Sequence, residues 1–243
     1  MSIIKLNAID STNDFLKDYS RNQLVENFTT VVTQKQTNGK GQMGAVWNSE
    51  EGKNLVMSIL IKDLLRSVDE IFHLNVAITL SIIQVLKLYN IPNITVKWPN
   101  DILSENKKIC GILIENSIIS ESKIQSIVGI GLNINQLYFE NLPKASSMAL
   151  IVNKEFDLEI ILNKVIFQIK KNCSYILSGQ SSKLWEEYHN NLYKMKTPMT
   201  FQNVNQIRFM GIIQGVSQEG KLLVKLEDGS VKAFGIKEIQ FLN

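Results

Sequence analysis

Apolar positions along the chain repeat either every second residue or every three to four, and the changes between these two rhythms mark out the elements. Ile3 to Ile9 has the short alternation of a strand. Asp10-Ser11-Thr12-Asn13 then opens a helix that carries Phe15, Leu16 and Tyr19, with Ser11 and Asp14 spaced as a capping pair. Thr29 to Gln36 is β-branched and strand-like. Asn54 to Lys62 alternates and then turns wholly apolar, as a central strand does. Ser67-Val68-Asp69-Glu70 reads as a capping box for a long helix with Ile71, Leu74, Ile78, Ile82, Val85 and Leu86 on one face; Ile91-Pro92 ends it. His73 falls within it as an ordinary helix histidine.

Ile94 to Trp98 reads as a strand stopped by Pro99, which has no N–H to give to a ladder. Asn100-Asp101 is expected in the turn, with Lys107-Lys108 leading back into an apolar strand, Ile109 to Ile114. Ile124 to Asn135 is a further strand, broken by Gly129 and Gly131. After a loop over Leu137 to Leu142, Ser146-Ser147-Met148 precedes a short helical piece. Leu158–Leu177 and Ser182–Leu192 read as amphipathic helices, with Leu184, Trp185 and Tyr188 as core. Near Met195 the pattern changes. Met199-Thr200-Phe201, Ile207 to Ile213, Leu222 to Leu226 and Ser230 to Phe234 are short strands separated by glycine turns. Residues 1–193 and 194–243 are thus expected as two domains. The second should be a compact β-barrel packed on the first, without an aromatic ladder of its own.

Four stretches stand out chemically. Ser11, Thr12 and Asn13 put hydroxyls and N–H groups at a helix N-terminus: a plain cap, or a place for a polar ligand. Gly39, Gly41 and Gly44 surround Lys40 and Gln42 in a loop with exposed N–H groups, able to wrap phosphate or simply to turn; the spacing is not that of a P-loop. Glycines at 129 and 131 mark either bulges or the close approach of a ligand or backbone. A buried strand pair with Lys108 and Asp101 at its mouth is a place to look for chemistry.

Composition narrows the class. With 44% hydrophobic and 20% charged residues the 243-residue chain can bury a core, and a net charge of +3 with scattered cations gives no nucleic-acid arm. Cys110 and Cys173 lack metal-like spacing and read as reduced core thiols. Met1 to Asn7 has no signal core, and no segment is expected to supply the ~20 apolar residues of a membrane span, so a cytoplasmic protein is the default.

Taken in series, these stretches resemble the biotin protein ligases. Ser11-Thr12-Asn13 resembles the family's STN, and Gln36 with the loop to Gly44 its Gln-then-GRGRxGR. Lys97-Trp98-Pro99-Asn100-Asp101 is similar to KWPND throughout, Lys108 and Gly111 to K-x-x-G-I-L, and Gly129 to Asn133 to G-x-G-x-N. The resemblance implies an α+β fold: a mixed, largely antiparallel sheet flanked by helices, class II synthetase-like, plus a small C-terminal SH3-like β-barrel. It implies ATP-dependent biotinylation of a lysine on a biotin carboxyl carrier domain through biotinoyl-5′-AMP, with Mg²⁺ shielding the triphosphate. It makes Lys108 the charge-stabilising residue and Asp101 the group that assists the acceptor lysine. Ser11, Thr12, Asn13, Gln36, Gly39, Lys40, Gly41, Gln42, Lys108, Gly111, Gly129 and Gly131 would bind biotin. Lys40, Gln42, Trp47, Asn100, Lys108 and Asn133 would bind nucleotide, Trp47 by packing on adenine. No protein metal site is implied, and a homodimer is compatible. Because the motifs begin at Ser11, no DNA-binding domain is expected. Three arginines of the family loop are Lys40, Gln42 and Ala45 here, which keeps one charge without its bidentate fork.

Overall fold

A computed structural model describes residues 2–120 and 123–242. Its elements are β1 (Ile3–Ile9), α1 (Thr12–Asn22), β2 (Thr30–Gln36), β3 (Leu55–Lys62), α2 (Ile71–Leu88), β4 (Thr95–Lys97), β5 (Asp101–Ser104), β6 (Lys107–Ser120) and β7 (Lys123–Leu132). There follow α3 (Met148–Val152), α4 (Leu158–Leu177), α5 (Ser181–Asn190), β8 (Pro198–Asn203), β9 (Arg208–Val216), β10 (Leu222–Leu226), β11 (Val231–Phe234) and β12 (Ile239–Leu242).

The first seven strands make one sheet in the order β1-β2-β3-β7-β6-β5-β4. β1 and β2 are parallel and every other pair is antiparallel. The expected α+β class is therefore the observed one. β3 is buried on both faces, which is why its alternation gives way to an unbroken apolar run. Leu55, Met57, Ile59 and Ile61 meet the layer of α2 and α4, while Leu60 meets Leu16 of α1 with Val31 and Ile127. Hydrophobic burial on two faces thus clamps the strand on which the site is built.

Three expectations change in this part of the chain. The Ser67 hydroxyl caps nothing; Val68–Glu70 is a turn of 3₁₀ helix, and Glu70 accepts from the Arg66 N–H at 2.8 Å instead of closing a capping box. One helix, Val68–Leu88, is long and apolar enough to cross a membrane, with mean hydropathy 1.7, but it is mostly buried inside this protein as its core helix. Asp101 does not lie in a turn: it begins β5, so the single strand pair becomes a meander, β4-β5-β6, with a cis Trp98-Pro99 bond at its first corner. Polar anchors hold that corner, Asn75 Nδ2 donating to the Pro99 carbonyl and Trp98 Nε1 to that of Gly220, both in place of solvent.

The C-terminal strands form a second antiparallel sheet, β11-β10-β9-β8-β12, whose last strand the alternation did not announce. It does carry an aromatic ladder. Phe209 stacks on Phe201 and on Phe234 at 5.7 Å, and Phe241 meets Phe201 edge-on at 5.5 Å. These rings lie far apart in sequence, and only cross-strand pairing brings them together. The sheet shares one continuous core with the larger one, as its packing role required. Cys110 and Cys173 are free, buried thiols; burial pushes Cys173 up to about 12 and Cys110 further.

Candidate active site

Cross-strand register explains the floor of the cleft. Gly131 pairs with Val56 on one side and Gly111 on the other, and Gly129 with Ser58 and Leu113, with no register shift at either. They are not bulges. Side chains alternate across a sheet, so Val56, Ser58, Gly111, Leu113, Glu115, Gly129 and Gly131 share one face. That face looks toward the start of α1. A Cβ on Gly129 would lie 2.5 Å from Asn13 Oδ1, and one on Gly131 would run into the Trp47 ring. The close approach that the two glycines suggested is made by this chain's own side chains.

Ser11 is the N-cap of α1, its hydroxyl accepting from Asp14 N at 3.3 Å, so the capping pair holds. Ser11, Thr12 and Asn13 are buried. The Thr12 N–H donates to Gln36 Oε1 at 2.8 Å, tying the helix start to the end of β2. Asn13 Nδ2 donates to Glu115 Oε2 at 2.8 Å, and Ser58 Oγ lies 2.6 Å from Asn13 Oδ1.

The glycine loop folds back on itself. Gly41 N donates to the Ala45 carbonyl at 2.6 Å and Trp47 N to that of Gly39 at 2.9 Å. Met43 and Gly44 take left-handed conformations at the tip (φ 58° and 80°), which suits glycine at 44. Lys40 Nζ sits 2.6 Å from Asp14 Oδ2, and that carboxylate, more than any other neighbour, raises its pKa. The Trp47 indole lies over Gly131 and Gly111, with Nε1 buried and unpartnered among the described residues.

Lys108 reaches the same floor because of a bulge. Ile102 pairs with Cys110 but Leu103 with Lys108, so β6 carries one extra residue at Ile109. Strict alternation would send Lys108 to the face opposite Gly111. The bulge brings it round, and a Cβ on Gly111 would lie 3.3 Å from Lys108 Nζ. Asp101 Oδ1 holds that ammonium at 2.7 Å, and the Trp47 ring lies 5.7 Å from it. Lys97, across from Asp101, is the second cation here; burial lowers its pKa, Asp101 opposes this, and Lys144 and Lys108 add to it.

One cavity of about 50 Å³ is lined by Ser11, Thr12, Asn13, Gln36, Lys40, Gly41, Gln42, Trp47, Asn100, Lys108, Gly111, Gly129 and Gly131. The sequence-named residues therefore converge, with three exceptions. Gly39 lies at the loop's base. Asp101 stands behind Lys108. Asn133, expected at the nucleotide, lies outside the cavity lining and is buried, its Nδ2 donating to the Ser146 carbonyl at 3.0 Å and its Oδ1 left without a partner among the described residues. Asn100 lines the wall, but its Nδ2 is spent on the Ile112 carbonyl at 2.6 Å. Ser58, Glu115 and Asp14 are site residues that sequence reading missed. No cluster of three or more His, Cys, Asp or Glu able to hold a metal exists among the described residues.

Comparison with known proteins agrees with this geometry. Residues 6–135 match the model of the biotin/lipoate A/B protein ligase family. The bifunctional ligase/repressor BirA of Bacillus spizizenii is 29% identical over 241 residues, 96% of this chain and 72% of that one. The Escherichia coli protein of that name is 25% identical over 95% of this chain and 71% of its own length. Among solved structures, the biotin protein ligase from Aquifex aeolicus in complex with biotin and ATP superposes with a TM-score of 0.81 at 27% identity, covering 100% of this chain and 99% of that one.

Proposed function

The chain belongs to the biotin/lipoate A/B protein ligase family, and from that premise we propose that it is a biotin protein ligase, joining biotin to a lysine of a carrier domain at the expense of ATP. The ligase names of its relatives and the biotin and ATP held by the Aquifex aeolicus neighbour support the enzyme class and both substrates. The observation that carries the reading is the joining, in one cleft, of the buried Ser11–Asn13 turn and the half-buried Gln36 to the Lys108 ammonium.

In the first step the biotin carboxylate attacks the α-phosphorus of ATP, forming the mixed anhydride biotinoyl-5′-AMP and expelling pyrophosphate. In the second, an acceptor lysine amine attacks the acyl carbon, giving an amide, AMP and a proton. Both transition states gather negative charge within reach of Lys108, whose ammonium Asp101 fixes in place and so costs no reorganisation. A carboxylate has two oxygens. With one on Lys108, the other can take the proton that the acceptor amine must lose. Mg²⁺ would arrive on the phosphates, since it is held mainly by substrate oxygens and one or two carboxylates. The indole of Trp47 now rests on the glycine floor, and a 50 Å³ cavity admits only a few waters. The ring therefore swings outward when the bicyclic substrate enters, where it can cover the adenine.

Mass spectrometry of a carrier domain incubated with this protein, biotin and Mg-ATP tests the proposal. One biotinoyl adduct on one lysine is expected, and none when lipoate replaces biotin. Lipoyl transfer, or no pyrophosphate release with biotin, would refute it.

A further inference from the structure

Glu115 lies on the cleft face of β6, two alternations beyond Gly111, yet it is outside the cavity lining. It nonetheless decides which way the hydrogen bonds of the polar pocket run. A carboxylate has no proton to give, so the Asn13 NH₂ must face Glu115 Oε2, at 2.8 Å. The Asn13 carbonyl is thereby turned to Ser58 Oγ, 2.6 Å away. An amide oxygen only accepts, so Ser58 spends its one proton there. The Thr12 proton then has two inward acceptors, Ser58 Oγ at 2.7 Å and Gln36 Oε1 at 3.0 Å. Whichever takes it, none is left for the cleft, and Thr12 shows the cleft a lone pair.

At the other end, the Thr12 backbone N–H can only donate. It fixes Gln36 Oε1 at 2.8 Å and turns the Gln36 NH₂ away. Thr12 and Gln36 both line the cavity, and the Gln36 NH₂ lies on the Gly39 side of that end, where a Cβ on Gly39 would stand 2.7 Å from its Nε2, so an acceptor on Thr12 has a donor on Gln36 as its neighbour. A cyclic urea presents the complement, an N–H beside a carbonyl. A dithiolane presents neither and would strand both groups, which is costly for buried polar atoms.

We propose that Glu115, acting through Asn13 and Ser58, is the positioning residue that sets the donor–acceptor polarity of this pocket and so selects a urea head over an apolar one. The inference rests on the biotin ligase reading and sharpens its specificity. Lys17 Nζ, 3.5 Å from Glu115 Oε1 on the solvent side, balances charge and takes no part in the polarity.

The test compares Glu115→Gln, Ser58→Ala and Lys17→Ala with the wild type by pyrophosphate release, each titrated with biotin and with ATP. Glutamine keeps the shape but can turn either its oxygen or its NH₂ to Asn13, so the direction is no longer imposed. The expected result is a biotin KM raised about tenfold in Glu115→Gln, as for loss of one charged hydrogen bond. Ser58→Ala should move the same way. The ATP KM and kcat of both, and every constant of Lys17→Ala, should stay within about twofold. If Glu115→Gln fails to fold, Ser58→Ala carries the test alone. The inference is overturned if a folded variant keeps the wild-type biotin KM, if kcat falls or the ATP KM rises as much as the biotin KM does, or if Lys17→Ala matches Glu115→Gln. A wild type inert toward biotin would instead overturn the reading beneath it.

Discussion

At one end of the cleft Ser11, Thr12 and Asn13 are each no more than 3% exposed, and Thr12 and Asn13 are bonded through Ser58 into one chain of hydrogen bonds. In the Gly39–Trp47 loop, Met43 and Val46 are more than 60% exposed, and Trp47 is half-buried, its Nε1 buried and unpartnered among the described residues. The first region rests on β3, which is buried on both faces, and on its neighbour β7. The second is held by its own few backbone bonds, one ion pair to Asp14 and the packing of Trp47 on the glycine floor beside Lys108. A pocket already ordered adds little entropic cost on binding, whereas a loop that must rearrange opposes binding but can close over what has bound. The rigid end suits recognition and the loose end suits retention of a reactive intermediate.

The largest effect is expected where the two regions meet. Lys108→Ala should lower biotin-dependent pyrophosphate release by roughly 10²–10³-fold, as loss of one preorganised charge-stabilising donor does, while biotin still binds by calorimetry. Near-normal release would show that neither region needs the ammonium. Next comes the rigid end. Gly129→Val would press on Asn13, and overpacking of about 1–3 kcal/mol would weaken biotin roughly ten- to a hundredfold with the ATP KM unchanged. Equal loss of both ligands would mean that the two regions are not separate.

How far this contrast could be read from the chain follows the same line. Local patterns announced local things, α4 over Leu158–Leu177 and the Ser11 cap, while the convergence of glycines, Lys108 and Gln36 was implied by the series of motifs resembling a known family. What escaped depends on pairing between distant strands. The bulge at Ile109 that re-aims Lys108 is a matter of register between β5 and β6. Ser58 and Glu115 face Asn13 only because β3, β7 and β6 align as they do. Asn133 follows two glycines that line the cleft, but the chain turns there and its amide is drawn to Ser146. The phenylalanine ladder likewise needed the second sheet to exist.

The smallest effects belong to the loose end, and they separate two ways of holding it. Lys40 is committed to Asp14, an exposed pair of the kind that contributes ~0.2–1 kcal/mol, so Asp14→Asn should change the dissociation rate of biotinoyl-AMP by no more than about fivefold. Gln42 also lines the cavity, but it is neutral where the resembled family has arginine. Gln42→Arg adds a cation with a planar fork beside the phosphate, and such charged hydrogen bonds outweigh a solvated ion pair. It should slow release of the intermediate by about tenfold and leave biotin KM alone. Release measured by rapid dilution decides between them. If Gln42→Arg does not slow it, the loop does not reach the phosphate and the loose end is no lid. If Asp14→Asn alters release more than Gln42→Arg does, retention is governed by the loop's anchor to α1 and not by charge at the phosphate.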